Sequence, residues 1–431
     1  MNTAFFRLFA IEYKRFARNP ISILGFAVVF TIGVYAIFHG KNTIAQQKET
    51  IETIAGIQKE ELDKNKKFFS DDLSHFTYYQ FYYTQNEPSK WAAFSIGQRD
   101  VNNYSLKVRI LAVEGQLYDT ELANPMTLLS GNLDLSFLFV VLIPLLIISL
   151  CFNLISSERE SGVWAVVASQ PYSLSKIIFL KFSVRFLAVL GLSLLLLLAA
   201  LWLLELPFDA DFGLVFVLIL GYELFWFGLV NALTLLKKNS NYNAVMLLGV
   251  WLFLVVLLPS LGNVLINRFI AIPEAFSTTV TQREAYHEKW DMPRREAMEP
   301  FYDAYPQYRQ FSIPEDIYSN GWYYAMQYVA DKAAEKDSKL LFEKLKRRQV
   351  VSKKLSYFIP SLLLQNTFNS IAETDLKDHI NYLESVKKYH KEISEFFYPY
   401  LFKGNSIDER AWEDFPEFES DSNEALSTTP K

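Results

Sequence analysis

The sequence contains little of the chemistry on which most enzymes depend. Its 431 residues include one cysteine, Cys151, and five histidines spread along the chain, which leaves no disulfide pair and no His and Cys cluster typical of a metal site. The phosphate-wrapping pattern Gly-x-x-x-x-Gly-Lys-Ser/Thr is absent, as are the Gly-x-Ser-x-Gly and His-Glu-x-x-His patterns of hydrolases. We therefore expect a protein that is not an enzyme and that binds no metal or other cofactor itself.

An excess of positive charge is also missing. The net charge is −5, whereas nucleic-acid-binding domains are usually basic. The hydrophobic fraction of 51% is too high for a disordered chain. These values argue against nucleic acid as a partner and direct attention to where the apolar residues lie.

Long apolar runs are what the sequence does have. Five of them approach or exceed the length needed to cross a hydrocarbon core of about 30 Å, and they give predicted spanning segments at residues 20–39, 132–155, 181–204, 212–236 and 242–266. Buried helices of soluble proteins seldom run this long without a charge, and the first run lacks the cleavage site of a signal peptide. The pattern predicts an all-α polytopic membrane protein.

The charges beside these segments predict their orientation, because short cytoplasmic flanks carry an excess of Lys and Arg. Four basic residues precede the first segment, and two lysines separate the fourth from the fifth. The loop at residues 205–211 has three acids and no base. The N-terminus is therefore predicted to be cytoplasmic, together with residues 1–19, 156–180 and 237–241, and residues 40–131 and 267–431 are predicted to lie outside.

Both outer segments are predicted to be mainly helical. Residues 44–62 have the spacing of an amphipathic helix that continues the first span. The aromatic-rich residues 75–100 allow three interpretations: a small folded core, side chains at the lipid headgroups, or a site for a sugar or peptide. The second outer segment is predicted to end in a flexible acidic tail, "EDFPEFESDSNEALSTTPK".

The first nineteen residues place Phe5, Phe9, Tyr13 and Phe16 on one helical face. This pattern is typical of an amphipathic helix that lies in the cytoplasmic membrane interface. A simple extension of the first span is the alternative. The Asn-Pro pair at residues 19–20 favours a bend and hence the interfacial helix.

Two polar residues interrupt the fourth apolar run. Glu223 near its centre would cost on the order of 3 kcal/mol if it faced lipid, and Asn231 lies on the same broad helical face. The pair either lines a permease pathway or forms inter-helix hydrogen bonds that fix the packing.

The stretch "ISSERESGVWAVVASQP" begins the longest predicted cytoplasmic loop, residues 156–180. It places three charged residues before a short apolar segment that cannot span a membrane. Such a segment suits docking into a groove on a soluble partner. The charges could also simply mark the end of the second span.

The segment from residue 124 to 186 resembles the second-span and coupling-helix region of ABC-2 type ABC transporter permeases, notably the branch associated with multi-copper-enzyme maturation. The resemblance implies that the Ser-Glu-Arg-Glu-x-Gly run leads into a coupling helix that engages an ATP-binding subunit. The implied coupling residues are Ser157, Glu158, Arg159, Glu160, Gly162, Trp164, Gln170 and Pro171. The family usually has Thr-Leu where this chain has Val163 and Trp164, and it usually has a sixth span, which the hydropathy pattern here does not contain.

The resemblance implies an exporter-like permease subunit in the inner membrane of a bacterium. Its implied partners are an ABC ATP-binding subunit that holds ATP and Mg²⁺, a second identical or related permease subunit, membrane lipid, and an envelope protein or lipoprotein. The alternative is a non-transporting envelope scaffold or sensor that the spans merely anchor. A scaffold would not need a coupling loop.

Overall fold

The computed structural model describes residues 3–69, 72–117, 132–170, 172–311, 319–404 and 407–420. The structure is mostly helical (77%). The helices are α1 (Thr3–Ala17), α2 (Pro20–Phe68), α3 (Leu73–Tyr79), α4 (Val113–Leu117), α5 (Leu135–Glu160), α6 (Trp164–Ala168), α7 (Leu174–Leu203), α8 (Ala210–Thr234), α9 (Ser240–Phe269), α10 (Glu274–Trp290), α11 (Arg294–Ala304), α12 (Asn320–Ser356), α13 (Pro360–Ile371) and α14 (Leu376–Lys403).

Five of the described helices, α2, α5, α7, α8 and α9, are long and apolar enough to cross a membrane. This confirms the prediction of five candidate spans in a membrane protein. Four of the predicted segments agree with these helices to within a few residues at their boundaries, apart from the far end of α2. The third candidate span, α7, begins at Leu174, seven residues before the predicted start. The apolar residues around Lys176 continue the helix.

Helix α2 joins the first span to the outer segment without a break. Asn19 caps its N-terminus by accepting a hydrogen bond from the Ile21 N–H (3.1 Å), and Pro20 occupies the first turn. The helix then runs for 49 residues, through the amphipathic stretch that the sequence predicts. The predicted bend at the Asn-Pro pair is confirmed, because α1 and α2 are separate helices.

Prolines in two spans are accommodated by π-helical turns and by side chains of other helices. Such turns lie at Leu138–Leu142, just before Pro144, and at Leu252–Leu257, just before Pro259. A proline removes a backbone donor and so frees carbonyl groups in the preceding turn. Side chains donate hydrogen bonds to carbonyl groups in these turns: Tyr222 to that of Val140 (2.9 Å), Trp251 to that of Val141 (3.2 Å) and Ser361 to that of Leu254 (2.7 Å).

The hydrophobic side chains form two main cores. One lies in the spanning bundle, mainly among α2, α5, α7 and α8. The other lies in what we call the distal unit, which consists of α3, α4, α10–α12, α14 and a small sheet. Phe76 and Tyr82 are buried in the distal core and Phe94 in the bundle core, which supports the folded-core interpretation of the aromatic-rich stretch.

Two features of the distal unit differ from expectation. Strands β1 (Tyr82–Gln85) and β2 (Ser105–Val108) pair antiparallel, which adds a two-stranded sheet to the predicted all-α class. The predicted flexible tail is wrong up to residue 420, because its aromatic side chains pack: Phe415 lies 5.3 Å from the Tyr82 ring and Phe418 5.4 Å from the Tyr389 ring. Residues 421–431 lie outside the described part of the chain.

Candidate functional site

The loop that follows α5 is shorter than predicted. Helix α5 ends at Glu160, α6 covers Trp164–Ala168, and α7 begins at Leu174. The predicted loop of residues 156–180 is therefore largely helical, and among its described residues only 161–163, 169–170 and 172–173 lie outside helices. Pro171 lies outside the described residues.

Glu158 fastens the base of this loop to the bundle. Its carboxylate is buried and accepts hydrogen bonds through Oε1 from Lys181 Nζ on α7 and from Arg15 Nη1 on α1 (3.2 Å). Its second oxygen has no partner among the described residues. Because Glu158 faces inward, it is placed to hold three helices together and not to contact a soluble partner.

A second buried ion pair fastens α1 beside the first. Arg185 Nη1 on α7 lies 3.0 Å from Glu12 Oε1 and also donates to the carbonyl of Lys181 (2.9 Å). The Arg185 guanidinium lies over the Phe16 ring at 5.4 Å. Helix α1 therefore packs against protein through Phe16 and Glu12, while Tyr13 on the predicted apolar face is 53% exposed. The Phe5 side chain lies outside the described residues.

The sequence analysis missed Glu12, although a usable pattern was present. Glu12 lies three residues after Phe9 and four before Phe16, which places an acid on the apolar face of α1. An acid at such a position predicts a buried cationic partner.

Glu160 connects the loop to the fifth spanning helix. Ser240, the first residue of α9, donates its backbone N–H to Glu160 Oε1 (2.7 Å) and its hydroxyl to Oε2 (2.8 Å). Ser156 is also hydrogen-bonded to the Ser240 hydroxyl (2.8 Å). The Glu160 carboxylate thus caps the start of α9, where its negative charge interacts favourably with the helix dipole.

The remaining motif residues shape the turn into α6. Gly162 has a φ of 75°, in the left-handed region that favours glycine. The Arg159 guanidinium lies over the Trp164 ring at 4.9 Å, and Trp164 packs partly against the bundle core. Ser157 donates its N–H to the Asn153 carbonyl (3.0 Å), and Gln170 is exposed. These contacts fix the direction in which α6 leaves the bundle.

Helix α6 presents an apolar surface that the described part of the chain does not cover. None of its residues is buried. Val166 is 60% exposed and Val163, just before the helix, is 47% exposed. A five-residue apolar helix held on an ion-paired base is suited to docking.

The two polar residues of α8 lie in different surroundings. Glu223 is fully buried, and Ser193 of α7 donates to its Oε1 at 2.5 Å. Asn231 is only partly buried, and its Oδ1 has no partner among the described residues. No hydrogen bond joins Glu223 to Asn231 in the described structure, so Glu223 bonds to α7 and the structure does not bring the predicted patch together.

Replacing Glu223 with Gln is expected to change the free energy of unfolding by less than about 1 kcal/mol, because the amide oxygen still accepts from Ser193. Glu223→Ala is expected to cost about 2 kcal/mol, since it leaves a cavity and an unpaired hydroxyl. Unfolding in mixed detergent micelles measures both. Equal losses in the two variants would show that the hydrogen bond from Ser193 does not account for the contribution of Glu223 to stability.

The sequence analysis also missed a junction between the bundle and the distal unit. Helix α13, which comes from the second outer segment, places Leu364 and Phe368 in the bundle core. Beside it, Asp134 accepts hydrogen bonds from Ile96 N (2.9 Å), Phe137 N (2.8 Å) and Ser136 Oγ (2.7 Å). Burial raises the pKa of the Asp134 carboxyl, and these three donors oppose the rise.

Two further contacts complete this junction, which we define as residues 93–98, Asp134, Ser136 and α13. Gln365 of α13 donates to Ser136 Oγ (3.0 Å), and Ser95 donates to Asn369 Oδ1 (2.7 Å). Gly40 of α2 lies so close to the Ala93 peptide that an added Cβ would be 3.0 Å from the Ala93 carbonyl carbon and closer still to its oxygen. Helix α2 is therefore tightly packed against the segment that connects β1 to β2.

Asp375, Asp378 and His379 follow one another closely at the start of α14. Asp375 caps α14 by accepting from the N–H groups of Lys377 (2.7 Å) and Asp378 (3.2 Å). Burial lowers the pKa of His379 to about 4. Within the described ranges, no three His, Cys, Asp or Glu side chains lie together as metal ligands would.

A family model described as Domain of unknown function (DUF3526) matches residues 277–421. No curated protein and no solved structure matches the chain. The matched region begins inside α10 and covers α11–α14, which includes much of the distal unit and α13 of the junction. The chain is thus similar to that family over its last third, beyond the five candidate spanning helices.

Proposed function

We propose that the chain is the membrane-spanning permease subunit of an ABC transporter, and that α6 is its docking helix for a separate ATP-binding subunit that holds ATP and Mg²⁺. The observation that carries this proposal is the exposed apolar surface of α6 on a rigid base. The buried carboxylate of Glu158 and the capping carboxylate of Glu160 hold that base to α1, α7 and α9. A mere membrane boundary would not require such an arrangement.

The same contacts explain how work would reach the spanning helices. Two ATP-binding subunits that close on ATP would displace the α6 helix of each permease. Because the base is ion-paired to α7 and hydrogen-bonded to α9, the displacement would move these two helices instead of bending the loop. The junction would then pass this movement to the distal unit through α2 and α13.

The proposed setting follows from the flanking charges and the family resemblance. The chain would lie in the bacterial inner membrane with α1 and α6 at the cytoplasmic face, and the distal unit would lie outside. It would pair with a second identical or related permease and would export a cargo or act on an envelope protein or lipoprotein.

The test is copurification of the full-length protein from its native membrane with Val166→Asp. Val166 is 60% exposed, so the acid should not disturb the fold but should weaken an apolar contact at least about tenfold. The matched control is Ser173→Asp, which adds the same charge at the exposed N-cap of α7, where an acid is favourable. Thermal unfolding of all three forms checks that the fold is unchanged.

The expected result is that wild type and Ser173→Asp retain a subunit with a Gly-x-x-x-x-Gly-Lys-Ser/Thr sequence, identified by mass spectrometry, and that Val166→Asp loses it. If none of the three forms retains such a subunit, the proposal is overturned. The scaffold or sensor function would then be the better account. Equal retention by all three forms would exclude α6 as the docking helix.

A further inference from the structure

A cavity of about 420 Å³ lies in the distal unit between α4, α12 and α14. Its wall includes the tyrosines 305, 328 and 398, and the apolar side chains of Ile110, Leu111 and Val113. Acidic and basic side chains also line it. This mixture of apolar wall and a few polar groups is typical of a small-molecule site.

One of the acids in the cavity wall has no basic partner among the described residues. Each of the three lysines pairs with an acid: Lys387 with Glu114 (2.7 Å), Lys332 with Glu335 (2.5 Å) and Lys391 with Glu395 (3.7 Å). Asp331 is the fourth acid in the wall, and no ion pair to it occurs among the described residues. Its oxygens accept only from the backbone N–H groups of Val113 (2.7 Å) and Glu114 (3.1 Å).

A second acid in the wall has an unused oxygen. Glu114 is 5% exposed, and its Oε2 has no hydrogen-bond partner in the described structure. Its other oxygen accepts from Lys387. A buried carboxylate oxygen without a donor is costly, and a ligand that donates hydrogen bonds would satisfy it.

We propose that this cavity binds the ammonium group of a small soluble organic amine. An ammonium group supplies three donors and one positive charge, which match the unpaired Asp331 carboxylate and the free Glu114 oxygen. The tyrosine rings add a wall that attracts cations through their faces, and the volume suits a ligand of modest size. This inference concerns the distal unit alone and stands whether or not α6 docks an ATP-binding subunit.

The proposal predicts that amine affinity rises with pH. Burial raises the pKa of the Asp331 carboxyl to about 8, so below that pH a proton competes with the ammonium group. Binding should therefore strengthen by up to about tenfold per pH unit below pH 8 and level off above it. Burial lowers the pKa of His390 to about 4, so this histidine is neutral throughout. The other charged or titratable groups around Asp331 are Glu114 of α4, Tyr305 at the end of α11, three residues of α12 (Tyr328, Lys332 and Glu335) and four of α14 (Lys387, Lys391, Glu395 and Tyr398).

The experiment compares three probes of equal shape on the full-length protein in lipid nanodiscs: cyclohexylmethylammonium, cyclohexylmethanol and cyclohexanecarboxylate. Ligand-detected NMR gives the dissociation constants at pH 6.5 and 8.5. Asp331→Asn removes the carboxylate, and Glu395→Gln removes an acid near the rim whose side chain is 42% exposed. The control Glu384→Gln removes an acid of the same helix that pairs with Lys346 away from the cavity.

The ammonium probe is expected to bind wild type and Glu384→Gln at least about tenfold more tightly than the alcohol, and the carboxylate more weakly still. Asp331→Asn should abolish the preference for the cation and its rise with pH, and Glu395→Gln should reduce the affinity by roughly threefold. If Asp331→Asn unfolds, the Glu395→Gln result and the pH dependence of wild type decide. Equal affinity of wild type for the ammonium and the alcohol, or tighter binding of the carboxylate, would overturn the proposal.

Discussion

Gly40→Ala is expected to destabilise the protein by about 3 kcal/mol or more. The added methyl group would meet the backbone of Ala93, and no side-chain rotation can relieve a clash with a peptide group. Helix α2 and the segment between β1 and β2 would have to separate, which would also loosen the neighbouring hydrogen bonds of the junction. Unfolding in mixed detergent micelles measures the loss.

The same substitution at Gly56 is the matched control. Gly56 lies further along α2, and nothing lies within 4 Å of its added Cβ. Alanine there should raise the free energy of unfolding by up to about 1 kcal/mol, because glycine is a poor helix former. Both substitutions replace glycine with alanine in the same helix. If both changed the free energy of unfolding in the same direction, α2 would not be in tight contact with Ala93.

Lys181→Met is expected to cost about 3 kcal/mol. Lys181 and Glu158 are both buried, with side chains 8% and 6% exposed, and removal of one partner leaves an uncompensated charge. Arg15 can retain its contact with Glu158, but its side chain is 67% exposed and compensates only in part. The matched control is Lys176→Met, which removes an exposed lysine nearer the start of α7 and should change stability by less than about 0.5 kcal/mol.

A double-mutant cycle separates the ion pair from the packing. Glu158→Gln with Lys181→Met removes both charges, so the double variant should be more stable than Lys181→Met alone. Additive losses in the two single variants would mean that the pair does not interact. In that case the base of the α6 loop would depend on packing and not on charge.

The candidate spans could be predicted from the sequence because their length and hydropathy are properties of single segments. The start of α7 could not, because the charges of Lys176 and Lys181 interrupt the apolar run there and only the fold shows that Glu158 neutralises Lys181. The burial of Glu12 depends in the same way on its ion pair with Arg185, which is 173 residues away in the sequence. Pairings over such distances leave no local pattern beyond an acid on an apolar face.

Helix α13 illustrates another limit of prediction. Its 12 residues are too few to span a membrane, and its apolar residues resemble those of any buried helix. Only its contacts place Phe368 against Phe94 (5.2 Å) in the bundle core. The motif residues have different surroundings: Glu158 and Glu160 bind within the chain, whereas Val166, which the motif does not include, is exposed.

The continuous helix α2 has a mechanical consequence. Gly40 lies in close contact with the Ala93 peptide, so any tilt of α2 would pivot about this point. The arm from Gly40 to Phe68 is roughly 42 Å long at 1.5 Å per residue. If the spanning part tilts by about 10°, the far end of the helix moves through roughly 7 Å. A small rotation inside the membrane would therefore produce a large displacement at the distal unit.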